Sequence, residues 1–354
     1  MMGQATLKDI AKALQISSST VSRALKDYPG ISLETRKKVK ELAEKLNYRP
    51  NAVALSLRKN RSFTIGVIIP EVVHFFFSTV ISGIEEVAIN NGYNVILCQT
   101  NENHEREKKI VETMISSRVD GVLVSYARET HTFEHFQKMK DMGLPVVFFD
   151  RIPDMDDTVN VIVDDGKGAY QAVKHLLDQG YEDILHLSGP KNLAISKLRE
   201  EGCRKALREA GKVLSEDRII ECPNGTIGES EGICRRIFAH SPPDAVFASN
   251  DIAAAGAMRA AKEMGIKVPD QLGVMGFSNW QFSSMVDPPL STVSQPGFEI
   301  GEKAASLLLE MIENHRYIPR TEVLETQLIV RKSTLPQKTG FFDFSASGQQ
   351  AGLE

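Results

Sequence analysis

Up to Leu46 the apolar positions recur at helical spacing. Leu7, Ile10, Ala11 and Leu14 fall on one helical face, and Thr6 with Asp9 three residues on gives an N-cap signal. A second helix is predicted to start within Ser17–Ser19 and run to about Leu25. It has Val21, Ala24 and Leu25 on one side and Ser19, Arg23 and Lys26 on the other. The turn signal "DYPG" follows, then Ser32 as a cap and a third stripe of Val39, Leu42, Ala43 and Leu46. Pro50 ends that helix. Asn51 can cap a short helical stretch over Ala52–Leu57, under two turns and therefore marginal without a partner.

From Phe63 the texture changes. Short β-rich runs alternate with longer helical patterns: "FTIGVII", "YNVILC", "GVLVSY", "PVVFFD" and "VNVIVDD", then "DILHLSG", "DAVFASN" and "LGVMGF". Apolar strands alternating with helices predict parallel sheets covered on both faces. The fold class expected is therefore α plus α/β: a small helical headpiece, then two doubly wound parallel lobes. The predicted organisation is a headpiece over 1–49, a linker over 50–62, a core over 63–334 and a loose tail over 335–354. Within the core, lobe 1 is expected over about 63–161 and 293–320, and lobe 2 over about 162–292 and 321–334, with a last helix near Phe298–His315.

Charge sharpens this division. The net charge of −4 argues against a polyanion partner for the whole chain. Yet residues 1–60 hold 12 Lys and Arg against 5 Asp and Glu, while the other 294 hold 30 against 41. A basic front on an acidic body is the asymmetry expected when one end meets nucleic acid. The four cysteines are scattered and form no Cys-x-x-Cys pair, which suits a reducing compartment. The start "MMGQATLKDI" lacks the apolar run of a signal peptide, and no stretch approaches a membrane span. A cytoplasmic protein without a membrane role is the expectation.

The second helix, "SSSTVSRAL", is poor in core-forming residues and rich in short hydroxyls. Set behind a first helix that its apolar side can pack on, it has the layout of a helix-turn-helix, whose second helix enters the major groove. Hydroxyls can bond phosphates or base edges, and Arg23 can grip a guanine bidentately. The plain alternative is a solvated surface helix.

The segment from "TLKDIAKALQISSSTVSRAL" to "NYRPNAVALSLRKNRS" resembles the DNA-binding headpiece of the lactose/galactose repressor family. The remainder resembles that family's periplasmic-sugar-binding-like core, with "SNDIAAAGAM" (Ser249–Met258) and "GVMGFSN" (Gly273–Asn279) as its most specific stretches. The resemblance runs from about Thr6 to Thr334. It implies that Ser18 and Ser19 sit at the variable base-reading pair, that Arg23 reads bases, and that Ser17, Thr20 and Ser22 touch phosphates. Thr6, Asn51 and Ala54 join this DNA-facing set. Leu57 matches a hinge leucine that wedges into the minor groove; the alternative is an ordinary core leucine. Gln15 stands at the turn position where such motifs usually carry glycine.

Ligands of open α/β sheets bind beyond the carboxyl ends of the strands. By resemblance, His74, Phe76, Asp150, Arg199 and Asn250 line a small-molecule cleft there. Ser278 and Trp280 complete the expected set. Ser278 stands where many relatives carry an acid, and Trp280 could stack on a sugar face or pack at the rim. For Arg199 the competing reading is a surface ion pair with Glu200 or Glu201, and for Phe75–Phe77 it is plain core packing. "DDGKGAY" (Asp164–Tyr170) only weakly imitates a phosphate loop, and the eight histidines show no ligand-spaced cluster. There is no Walker loop, Gly-x-Ser-x-Gly or His-Glu-x-x-His, so no enzyme, metal or cofactor is expected. The reading is a repressor that binds a near-palindromic double-stranded operator as a homodimer, under control of a sugar-like effector. A regulator governed by a protein partner, a solute receptor and an enzyme on this fold are the alternatives.

Overall fold

The computed structural model describes residues 5–48 and 61–336. Two compact units divide at Phe63/Thr64.

In the first unit three helices form: α1 (Leu7–Leu14), α2 (Ser18–Leu25) and α3 (Leu33–Lys45). Each starts on a side chain that takes up an otherwise unpaired backbone N–H. Thr6 and Asp9 make a full capping box, Ser17 accepts from the Thr20 N–H, and Ser32 accepts from the Thr35 N–H. Ile10, Ala11, Val21, Ala24, Val39 and Ala43 form the buried core, with Leu7, Leu14, Leu25 and Leu42 packed around them. Gln15 is left-handed (φ 54°), which reverses the chain between α1 and α2. A side chain there costs roughly 1–2 kcal/mol.

The second unit contains two six-stranded sheets. The first runs in the order β11-β5-β4-β3-β1-β2, from β1 (Thr64–Ile69), β2 (Asn94–Gln99), β3 (Gly121–Val124), β4 (Val146–Phe149), β5 (Val159–Val163) and β11 (Arg320–Leu324). The second runs β12-β10-β9-β8-β6-β7, from β6 (Ile184–Ser188), β7 (Ile219–Glu221), β8 (Ala245–Ala248), β9 (Gly273–Phe277), β10 (Ser291–Ser294) and β12 (Gln327–Ile329). All pairings are parallel except β10 with β12. The helices are α4 (Phe75–Asn90), α5 (His104–Ser116), α6 (Glu134–Asp141), α7 (Asp165–Asp178), α8 (Ala194–Glu209), α9 (Ile227–His240), α10 (Asp251–Glu263) and α11 (Gly297–Asn314).

The chain passes between the lobes three times: after β5, after β10, and between β11 and β12. The expected handovers at 161/162, 292/293 and 320/321 fall inside β5, β10 and β11 and so come a few residues early. A strand completes its ladder pairing before the chain leaves. Val163 is still paired with Leu324, and Ser294 with Gln327.

Each lobe has the same order of sequential strands, with its reversal between β1 and β3 in one and between β6 and β8 in the other. Ligand crevices form at such reversals. In lobe 1, α11 packs tightly on α4 because both present glycine. A Cβ on Gly83 would lie 2.0 Å from the Phe298 carbonyl oxygen, and one on Gly301 would lie 2.1 Å from that of Val80.

Candidate functional site

On the headpiece, Ser17, Ser18, Ser19 and Arg23 are exposed, while Thr20 and Ser22 are half-buried. Ser17 has a structural duty beside the expected phosphate contact: its hydroxyl lies 2.7 Å from that of Ser19 and 2.8 Å from that of Thr20 while capping α2. Thr6 likewise caps α1 through Asp9, to which its hydroxyl donates over 2.7 Å. Arg23 has its guanidinium 5.6 Å from the centre of the Tyr28 ring, which limits its wandering. Tyr28 was absent from the expected set; only the fold shows that the "DYPG" turn swings it back under α2. Asn51, Ala54 and Leu57 lie outside the described residues.

In the second unit a cleft opens between the carboxyl ends of both sheets. His74, Phe76, Asp150, Arg199, Asn250, Ser278 and Trp280 all line it, so the structure brings all seven expected residues together. Phe77 lines it beside Phe76, so this pair serves the cleft as well as the core. His74 of lobe 1 meets Trp280 of lobe 2 edge to face, with ring centres 5.4 Å apart.

Arg199 is buried rather than on the surface. Its Nε and Nη2 donate to Asp165 Oδ1 at 2.8 and 2.7 Å, and Nη1 donates to the Ser249 carbonyl at 2.6 Å. The guanidinium lies 3.8 Å above the Phe277 ring. The surface pair envisaged for it is wrong: Glu200 pairs with Arg204, one turn along α8. Three of the five N–H groups of Arg199 are engaged, which leaves two for a ligand.

Asp150 ends β4 in a left-handed conformation (φ 63°), which turns its carboxyl into the cleft wall. Burial pushes it up to about 6; neighbouring Arg151 opposes that rise, its Nε 3.9 Å away. Arg151 itself is committed elsewhere, donating to both oxygens of Glu102 at 2.8 and 2.9 Å. Glu102 also accepts the Arg128 N–H at 2.6 Å.

Asn250 caps α10, its Oδ1 accepting the Ala253 N–H at 2.7 Å. The neutral Ser278 donates to Gln295 Oε1 at 2.7 Å. Gln295 Nε2 is buried and has no hydrogen-bond partner among the described residues. A buried unpaired amide is costly, and this one lines the cleft, so a ligand acceptor would satisfy it. Asp251, pushed up to about 7 by burial, accepts from the Trp280 N–H at 2.6 Å and fixes the start of that loop.

Sequence reasoning missed Gln295, Glu102, Arg128 and Asp165. Gln295 had one legible signal: it directly follows a strand, beside the proline that begins a crossover. "DDGKGAY" is no phosphate loop. Asp164 caps α7, Asp165 holds Arg199 and Lys167 pairs with Glu325.

A helix-turn-helix headpiece with a two-lobed α/β cleft core defines a ligand-responsive transcription regulator. The comparisons agree along nearly the whole chain. Residues 6–51 match the bacterial regulatory proteins of the lacI family, and residues 62–332 match the periplasmic binding proteins and sugar binding domain of that family. The chain belongs to the lacI family: it is a DNA-binding transcriptional repressor with a ligand-binding core, and its function is regulatory rather than enzymatic.

It is 34% identical to the ribose operon repressor of Halalkalibacterium halodurans, over 93% of this chain and 97% of that one. It is 32% identical to the transcriptional repressor CytR of Escherichia coli, over 93% and 96%. Among solved structures, the lac repressor dimer bound to operator and the anti-inducer ONPF superposes with a TM-score of 0.84 at 26% identity, over 94% of this chain and 100% of that one. A regulator from Enterococcus faecium with bound ribose gives 0.68 at 27% identity, over 78% and 100%. Among the described residues, no helix is long and apolar enough to cross a membrane.

Proposed function

We propose that this repressor acts in the cytoplasm as a homodimer on a near-palindromic operator and releases or grips it according to a sugar-like molecule held between its lobes. The observation that carries the effector reading is the chemistry gathered in one cleft. Asp150 accepts hydroxyl protons, Arg199 and Gln295 Nε2 donate to hydroxyl oxygens, and Phe76, Phe77 and Trp280 offer apolar faces. A ring with hydroxyls on its edge and C–H groups on its faces satisfies all three requirements. The relatives solved with ribose and with ONPF support the same class.

For DNA, the exposed face of α2 supports Ser18, Ser19 and Arg23 as base readers, with Thr6, Ser17, Thr20 and Ser22 toward phosphates. The linker over 50–62, with Asn51, Ala54 and Leu57, is assigned to the operator centre. An effector changes occupancy only through unequal affinity for the DNA-binding and released states.

Mobility shifts on a randomised duplex pool, with and without a sugar panel, test this proposal. The wild type is expected to select a two-fold-related site, and one sugar is expected to change that binding. Arg23→Ala is expected to lose about 1–3 kcal/mol of discrimination at the base it reads while keeping its salt slope. Equal weakening on every duplex would remove Arg23 from base reading, and indifference to every ligand would remove the effector.

A further inference from the structure

Away from the cleft, lobe 1 gathers a second polar cluster that spacing along the chain conceals. His104 begins α5, Glu107 lies one turn on, and His135 comes from α6. One ligand atom from each lies within 4.8 Å of the others. Glu107 is completely buried. Its carboxylate accepts from the Ala127 N–H at 2.5 Å, the Thr130 hydroxyl at 2.6 Å and His135 Nε2 at 2.9 Å. None of these partners is a lysine or arginine. A buried carboxylate without a permanent cation beside it is an expensive arrangement. His135 Nδ1 is also buried and has no partner among the described residues. The His104 and His135 rings meet edge to face with centres 5.3 Å apart, and His104 Nδ1 lies 3.1 Å from the Thr130 hydroxyl.

We propose that His104, Glu107 and His135 form a binding site for a transition-metal ion of the zinc class. Two imidazoles and one carboxylate are a donor set that suits Zn²⁺, whereas Mg²⁺ and Ca²⁺ favour oxygen alone. The Thr130 hydroxyl or a water completes a tetrahedron. A dication supplies the countercharge that Glu107 lacks, and half-buried His104 is the way in from solvent. Metal entry places the proton of neutral His135 on its non-coordinating ring nitrogen and draws Glu107 away from Thr130. The consequence reaches past the cluster. Ala127, held by Glu107, adjoins Arg128, whose guanidinium donates to the Pro223 carbonyl of the other lobe at 2.6 Å. The competing account is a hydrogen-bonded clamp that only fixes the 125–133 loop.

The test uses the full chain, stripped with a chelator, titrated with Zn²⁺ against a chromogenic competitor, desalted and analysed for metal. One ion per chain is expected in the wild type and in His131→Ala, which alters an exposed histidine of the same loop. None is expected in His104→Ala or His135→Ala. Should His135→Ala fail to fold, His104→Ala decides alone, because that side chain is only partly buried. Co²⁺ gives a second readout: visible d–d bands without thiolate charge transfer are expected, and a thiolate band would assign the ion to cysteine and overturn the site. A wild type that retains no stoichiometric metal, or a His104→Ala that retains the same amount, overturns it equally.

Discussion

Asp150 illustrates how a cleft residue works against the fold that holds it. Its carboxyl ordinarily titrates near 3.8, and burial moves this to about 6 in the folded chain. The folded state therefore holds the proton more tightly than the unfolded one. The associated stability is full below about pH 4 and is lost as pH rises through 6. A difference of about two pH units corresponds to roughly 3 kcal/mol. Asp150→Asn is thus expected to stabilise the ligand-free protein by up to ~3 kcal/mol at pH 7.5, with the gain vanishing near pH 3.5. Denaturant melts at both values check this, and effector titrations should show weaker binding by the same variant. In the native protein, effector affinity should fall as pH drops through 6, because a protonated Asp150 no longer accepts.

At this scale strand-end position and family resemblance were enough to nominate Asp150, and resemblance to nominate Arg199 within α8. They were not enough to say what Arg199 holds. Glu200 and Glu201 are its chain neighbours, but α-helical geometry sends neighbouring side chains to different faces, and Asp165 is reached only from α7.

Among the elements, the helix caps are the most legible feature. Thr6, Ser17 and Ser32 each stand before an apolar stripe, and each makes its bond. Capping involves residues three apart, so the chain carries the information locally. The α4–α11 pair is the opposite case. Gly83 and Gly301 look like helix-weakening residues in sequence, yet each replaces a side chain that would strike the facing backbone. Gly301→Ala improves helix propensity by up to about 1 kcal/mol. Its methyl nevertheless has to displace the Val80 carbonyl, and overpacking of this kind costs about 1–3 kcal/mol. The net expectation is a lower melting temperature for Gly301→Ala. A half-buried but unobstructed helix position such as Gly232 on α9, where an added Cβ has only the Arg236 side-chain tip 4.0 Å away, should respond to the same change with a gain.

Across the molecule, the cleft is closed on one side by contacts no single lobe predicts. Arg128 Nη1 donates to the Pro223 carbonyl and Asn192 Nδ2 donates to the Arg128 carbonyl, both at 2.6 Å. A hydrogen bond from a charged group contributes about 1.5–3 kcal/mol, less where water competes. Arg128→Ala should therefore shift the lobes toward the open form and weaken effector binding by about tenfold. Solution scattering of the ligand-free protein should register the larger dimension. Unchanged scattering together with unchanged affinity would reduce the contact to surface decoration.

The sequence by itself determined whatever is written within a few residues. This includes the capped helices of the headpiece, the left-handed duty of Gln15, the alternation of strands and helices, and the strand ends around which the cleft forms. The tertiary structure alone decided which distant groups meet. Asp165 holds Arg199, Glu102 holds Arg151, Trp280 meets His74, and two histidines converge on Glu107. Local periodicity is fixed by backbone geometry that every residue shares, so the chain displays it directly. Meetings between distant elements, within and across the lobes, depend on three crossovers and on the register of two sheets, which exist only once the whole chain has packed.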